Sequence, residues 1–79
     1  MDNVILTDIE GNKYKAEILF THFDYFFSKN YIVYLFDKDL LAASYETVNN
    51  NLIINSNLSS KEYDMIDKEI ERKLGELYA

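Results

Sequence analysis

The sequence predicts an α+β domain of two layers, an antiparallel β-meander of four to five strands with one C-terminal helix packed on one face. Three observations carry that expectation. Ser59-Ser60-Lys61-Glu62 reads as a capping box: the Ser59 hydroxyl takes the Glu62 backbone N–H, the Glu62 carboxylate reaches back, and Leu58 and Tyr63 stand where a hydrophobic staple needs them. Beyond the cap, Tyr63, Ile66, Ile70, Leu74 and Leu77 recur at helical spacing and form one apolar stripe, leaving Asp64, Lys68, Glu69, Arg72 and Lys73 to water. Upstream, short apolar runs alternate with turn residues, the pattern of hairpin-linked strands. A lone helix of this length cannot hold itself, so those strands must supply the surface its stripe covers.

Taken in order, Val4-Ile5-Leu6-Thr7 is a strand and Asp8-Ile9-Glu10-Gly11-Asn12 a turn in which Gly11 takes positive φ without steric cost. In the return strand strict alternation places Tyr14, Ala16, Ile18 and Phe20 on one face, the natural seat for the helix. Phe23-Asp24-Tyr25-Phe26-Phe27-Ser28 loses that alternation and reads as a connection. Tyr31 to Phe36 is apolar on both faces, with Ile32, Tyr34 and Phe36 on one and Tyr31, Val33 and Leu35 on the other. Asp37-Lys38-Asp39 makes a tight turn into Leu40–Val48, and Asn49-Asn50-Asn51 suits a second because Asn tolerates the left-handed region. Leu52–Asn55 closes the meander. The expected strands run over about 3–8, 13–22, 30–37, 40–48 and 52–55, and the helix over about 60–77, in a single domain spanning 1–79.

The length of 79 residues leaves no room for a second core. Without cysteine, neither a disulfide framework nor a thiolate metal site can form, which fits a reducing compartment. Met1-Asp2-Asn3 lacks the basic n-region of a secretion signal, and no apolar run approaches a membrane span. A cytoplasmic protein with no membrane association is the expectation. Eight Lys and Arg against 14 Asp and Glu give a net charge of −6, a field that repels phosphate backbones.

The order of motifs resembles the YrzB-like proteins, a family of small acidic bacterial proteins without assigned function. The likeness runs through Val4-Ile5-Leu6-Thr7-Asp8 with Gly11-Asn12, Glu17-Ile18-Leu19-Phe20-Thr21, Phe27-Ser28-Lys29-Asn30-Tyr31 and Tyr63-Asp64-Met65-Ile66. It implies a compact cytoplasmic bacterial protein and brings no activity, cofactor or catalytic residue. Where family members carry an acidic insertion before the last strand, a bare Asn turn stands here.

Candidate chemistry is sparse. His22 is the only histidine, and Asp24 could orient it as a general base, yet no nucleophile context accompanies them. One His and scattered carboxylates lack the spacing of a metal site, and no glycine-rich phosphate loop exists. No catalytic, metal or cofactor residues are therefore assigned. Asp64–Lys68 and Glu69–Lys73 read as exposed i,i+4 pairs on the helix. Tyr31, Tyr34 and Tyr45 could serve as stacking platforms for an RNA- or ribosome-associated factor, but the few lysines make no positive groove beside them.

One helix covers one sheet face, so Leu19, Tyr31, Val33 and Leu35 are left over on the second. Together with Phe23, Tyr25 and Phe26 of the connection they form the expected protein-interaction surface, for a partner protein or a homodimer. The competing reading is a strongly twisted sheet that rolls up and covers this face itself. The expected function is a small non-enzymatic interaction or regulatory domain; the alternatives are the RNA-associated factor and a minor enzyme using His22 and Asp24.

Overall fold

The computed structural model describes residues 3–78, with side chains described as far as Gly75. Strands β1 (Asn3–Asp8), β2 (Lys13–Asp24), β3 (Lys29–Phe36), β4 (Asp39–Val48) and β5 (Asn51–Asn55) are followed by helix α1 (Ser60–Tyr78). Each consecutive strand pair is antiparallel, as the meander pattern predicts. The sheet, however, is not open. β5 pairs in parallel with β1, Leu6 beside Leu52 and Asp8 beside Ile54, and the five strands close into a barrel.

Closure has a physical cause. In a five-strand meander the last strand points the same way as the first, so only a parallel pairing can join them, and strand twist brings their edges together. Joining pairs Leu6–Asp8 with Leu52–Ile54 and so covers that part of both sheet edges and the backbone groups it would expose. Tight turns help: Asp37 and Lys38 between β3 and β4, and Asn49 and Asn50 between β4 and β5, have consecutive positive φ values of 51°, 70°, 50° and 66°. Such turns match the twist of their flanking strands. At the β1–β2 turn, Asp8 Oδ1 accepts the Glu10 and Asn12 backbone N–H groups, both at 2.9 Å, and Gly11 takes φ 89°.

A register shift in β2 decides which side chains go where. Ile18 stands opposite Tyr34 but Phe20 stands opposite Val33, so Leu19 is an extra residue at a bulge. Strict alternation predicts Phe20 on the face of Tyr14, Ala16 and Ile18. The bulge moves it to the other face, because one inserted residue reverses every side chain beyond it.

Two clusters result. Leu6, Ala16, Ile32, Tyr34, Ala43 and Ile54, drawn from all five strands, fill the barrel, with Val4, Ile18, Phe36, Tyr45 and Leu52 around them. Outside the barrel, Tyr31 and Val33 are buried with Ile66 of α1, flanked by Leu19, Phe20, Phe27 and Ile70. The face of β3 assigned to the helix is thus the barrel interior. The face expected to stay open is the one that meets Ile66, which is why β3 is apolar on both sides.

The capping box forms as its spacing predicts: Glu62 N donates to Ser59 Oγ at 3.2 Å and Ser59 N to Glu62 Oε1 at 3.0 Å. Ser59→Ala is expected to cost about 1 kcal/mol, read as a lowered urea midpoint. The buried stripe is rotated from the expected one. Ile66 is buried and Ile70 and Leu74 half-buried, but Tyr63 is exposed and Glu62 takes the inner position; the Leu77 side chain lies outside the described residues. The rotation follows from what Glu62 binds, set out below.

The surface pairs also differ from expectation. Glu69 pairs with Arg72 at 2.6 Å, while Lys73 turns inward, its Nζ 3.3 Å from Thr21 O and 4.8 Å from the centre of the Phe20 ring. No ion pair joins Asp64 and Lys68 among the described residues. No helix among those residues is long and apolar enough to cross a membrane.

Candidate functional site

The β2–β3 hairpin runs further than alternation indicates. Pairing continues through Phe23 with Asn30 and Asp24 with Lys29, which narrows the connection to Tyr25-Phe26-Phe27-Ser28. Asp24 Oδ2 accepts the Phe27 N–H at 3.0 Å, Ser28 Oγ donates to Tyr25 O at 3.4 Å, and Ser28 adopts φ 53°. These local bonds fix a four-residue turn with no proline or glycine in it.

The turn holds its rings out. Tyr25 is 88% exposed, Phe26 85% and Phe23 44%. Tyr25 meets Phe23 edge-on, with centroids 5.0 Å apart, and Phe26 meets Phe27 in the same way at 5.0 Å. Phe27 in turn lies edge-on to buried Tyr31 at 6.5 Å, so the exposed Phe26 ring is braced through Phe27 against the second cluster. Edge-to-face contacts of this kind favour one ring arrangement over others.

The root of the hairpin is tied to the helix. Tyr31 Oη donates to Glu62 Oε2 at 2.5 Å, and Lys29 Nζ reaches the same oxygen at 3.3 Å. Glu62, 5% exposed, therefore serves both the helix cap and the hairpin. The Ser59 backbone N–H, with the Tyr31 hydroxyl and Lys29 adding to it and burial opposing, holds its carboxyl down at about 2. Burial, with the hydrogen bond to Glu62, pushes the Tyr31 phenol well above the usual tyrosine range. Tyr31 is thus a neutral donor to a charged acceptor, the stronger class of hydrogen bond.

Among the residues expected to form an interaction surface, the tip brings together Phe23, Tyr25 and Phe26. Tyr31 and Val33, each 1% exposed, do not belong to any surface, because Ile66 and the flanking apolar residues cover them. Leu19 is half-buried at the bulge, beside that cluster. Leu35 is half-buried near the other end of β3, about 20 Å along the strand from Lys29. Of these residues, the ones that stand exposed are at the tip and not on the sheet face.

The other candidates are also placed. His22 Nε2 lies 3.6 Å from Asp24 Oδ1 and 4.0 Å from Glu69 Oε1, so the ring bridges β2 and α1 between two carboxylates. No hydroxyl is hydrogen-bonded to it among the described residues. Tyr31 and Tyr34 are buried and cannot present a stacking face, and Tyr45 packs against the barrel core. No group of three His, Cys, Asp or Glu residues stands together as metal ligands among the described residues. The capping-box pattern is the only sequence signal for Glu62; its burial follows from partners, Tyr31 and Lys29, that lie 31 and 33 residues upstream. Compared with protein-family models, curated proteins and solved structures, the chain matches none.

Proposed function

We propose that this chain is a small non-enzymatic protein-interaction domain whose docking element is the β2–β3 tip, with Tyr25 and Phe26 entering an apolar groove on another protein. The observation that carries this reading is the near-complete exposure of two aromatic rings on a turn whose backbone is fixed by its own hydrogen bonds. Exposed rings cost solvation, and aromatic anchors contribute disproportionately at protein interfaces. Bracing by Phe23 and Phe27 lowers the ordering cost on binding, since the rings are held before the partner arrives. A convex tip fits a groove better than it fits its own copy, which favours a partner protein over a homodimer. In this reading α1 is docked permanently over Tyr31 and Val33 and acts as the brace of the hairpin, and the setting is the cytoplasm. The likeness to the YrzB-like proteins belongs to the same reading and adds no activity to it.

The rivals rest on less. RNA binding needs a positive groove beside its rings, and the net charge of −6 opposes it. An enzyme built on His22 and Asp24 has an acid–base pair without a nucleophile hydrogen-bonded to it.

The test is crosslinking capture from native cytoplasm with wild type and a Tyr25→Ser, Phe26→Ser variant, each with and without nuclease. A protein captured by wild type, insensitive to nuclease and lost with the variant is the expected result, with thermal midpoints that agree because surface changes cost at most about 0.5 kcal/mol. Capture unchanged by the variant removes the tip from consideration. Capture lost on nuclease treatment favours the RNA-associated reading instead.

A further inference from the structure

Away from the hairpin tip, a cavity of about 510 Å³ opens between one end of the barrel and α1. That volume suits a small organic molecule. Phe36, Leu41, Ile54 and Ile66 give it apolar walls. Tyr34 also lines it. That residue is only 5% exposed, and its hydroxyl makes no hydrogen bond to another described residue. No buried side-chain nitrogen or oxygen lacks a partner among the described residues, so this hydroxyl keeps its access to solvent and is free to bond a ligand in the cavity.

The charge of the lining is one-sided. Asp8 and Asp67 contribute carboxylates, and no Lys, Arg or His lines the cavity among the described residues. Asp8 is held in place by Tyr14 Oη at 2.9 Å and by the turn N–H groups, so its position is fixed before any ligand binds. Asp67 is exposed and makes no hydrogen bond or ion pair with another described residue, which leaves both its oxygens for a cation. An anionic ligand would meet two like charges here, whereas a cation meets two opposite ones in a partly dry site.

We propose that this cavity binds a small apolar ammonium compound, an arylalkyl or alkyl amine, with its hydrocarbon body against Phe36, Ile54 and Ile66. Its N–H donors are served by Asp67 and by the Tyr34 hydroxyl, which accepts while keeping its own proton. The site is independent of the hairpin tip and shares none of its residues.

Amide NMR of isotope-labelled protein, titrated in parallel with phenylbutylamine, phenylbutanol and phenylbutyrate, tests it, since the three probes share a body and differ in head-group charge. Saturable shifts at Ala42, Ile54 and Tyr63 are expected with the amine, with binding about tenfold weaker for the alcohol and weaker again for the carboxylate. Asp67→Asn should bring the amine to about the level of the alcohol, and Tyr34→Phe, which keeps the buried ring, should weaken it severalfold. Equal binding of amine and alcohol, stronger binding of the carboxylate, the absence of saturation with all three, or shifts confined to the Phe23–Phe26 tip each overturn the proposal. Because Asp67 is exposed, the Asp67→Asn comparison stands even if Tyr34→Phe alters folding.

Discussion

Val33→Lys is expected to abolish cooperative folding. Val33 lies in the centre of β3, opposite Phe20 on β2 and Ala42 on β4, and is buried with Tyr31 and Ile66. A lysine there would either bury its ammonium among apolar groups or drive α1 off the barrel. Both outcomes remove the second cluster. Glu62, the buried carboxylate among the described residues, is already engaged by Ser59, Tyr31 and Lys29 and cannot take another cation without releasing one of them. An unpaired buried charge of this kind costs upwards of about 4 kcal/mol, against a total stability of roughly 4 to 12 kcal/mol for a chain of this length. Circular dichroism should show no thermal transition, or one displaced by tens of degrees, where wild type melts in one step. A folded variant with an unchanged midpoint and a smaller mass by sedimentation equilibrium would return Val33 to the surface and support a dimer through the sheet face.

How much of this was legible in the sequence follows from the range of each interaction. The helix, its cap and the hairpin turns depend on residues within a few positions of one another, and Ser59 with Glu62, Gly11, and Asn49 with Asn50 do what local chemistry requires. Barrel closure depends on β1 meeting β5, with Leu6 beside Leu52, and no local pattern records that pairing. The apolar residues on both faces of β3 were legible as a demand for cover on both sides. Which cover served which face was not, because the choice between a rolled and an open sheet rests on twist summed over all strands.

The bulge was hidden for a related reason. Leu19 interrupts the alternation of β2, but an apolar residue on a polar face reads equally as an exposed leucine or as an inserted residue. Only the partner strand decides, through Ile18 with Tyr34 and Phe20 with Val33. At the candidate site the aromatic run at Phe23–Phe27 stood out by composition, whereas the burial of Tyr31 and Val33 depended on where α1 lies. The cavity beside Tyr34 left no sequence signal, since Asp8, Phe36 and Asp67 meet only when the barrel closes against α1.

Glu62→Gln is expected to lower stability at neutral pH by on the order of 2 kcal/mol, and to do so in a way that disappears in acid. The carboxylate accepts from Ser59 N, Tyr31 Oη and Lys29 Nζ, using both oxygens. An amide has one acceptor oxygen and sets an NH₂ group against the remaining donors, leaving a buried partner unsatisfied. The pH dependence follows from the folded-state value of about 2, against an ordinary glutamate value of 4.5. Because the folded value is the lower one, the unfolded chain takes up the proton first as pH falls. The stabilisation is complete above the ordinary value, declines between about pH 4.5 and pH 2, and is gone below that. Urea melts of wild type and variant at half-unit steps from pH 7 to about pH 2 isolate this group, since the other carboxylates titrate alike in both proteins. The two stability curves should lie apart at neutral pH and converge as pH approaches 2. Curves that stay parallel throughout would mean that the Glu62 carboxyl is not held in its charged form by Ser59, Tyr31 and Lys29. Tyr31→Phe adds a second constraint: made in the Glu62→Gln background it should cost less than in wild type, because the strong bond it removes is already weakened. Equal costs in the two backgrounds would separate the hairpin from the helix cap and leave the tip without the anchor described here.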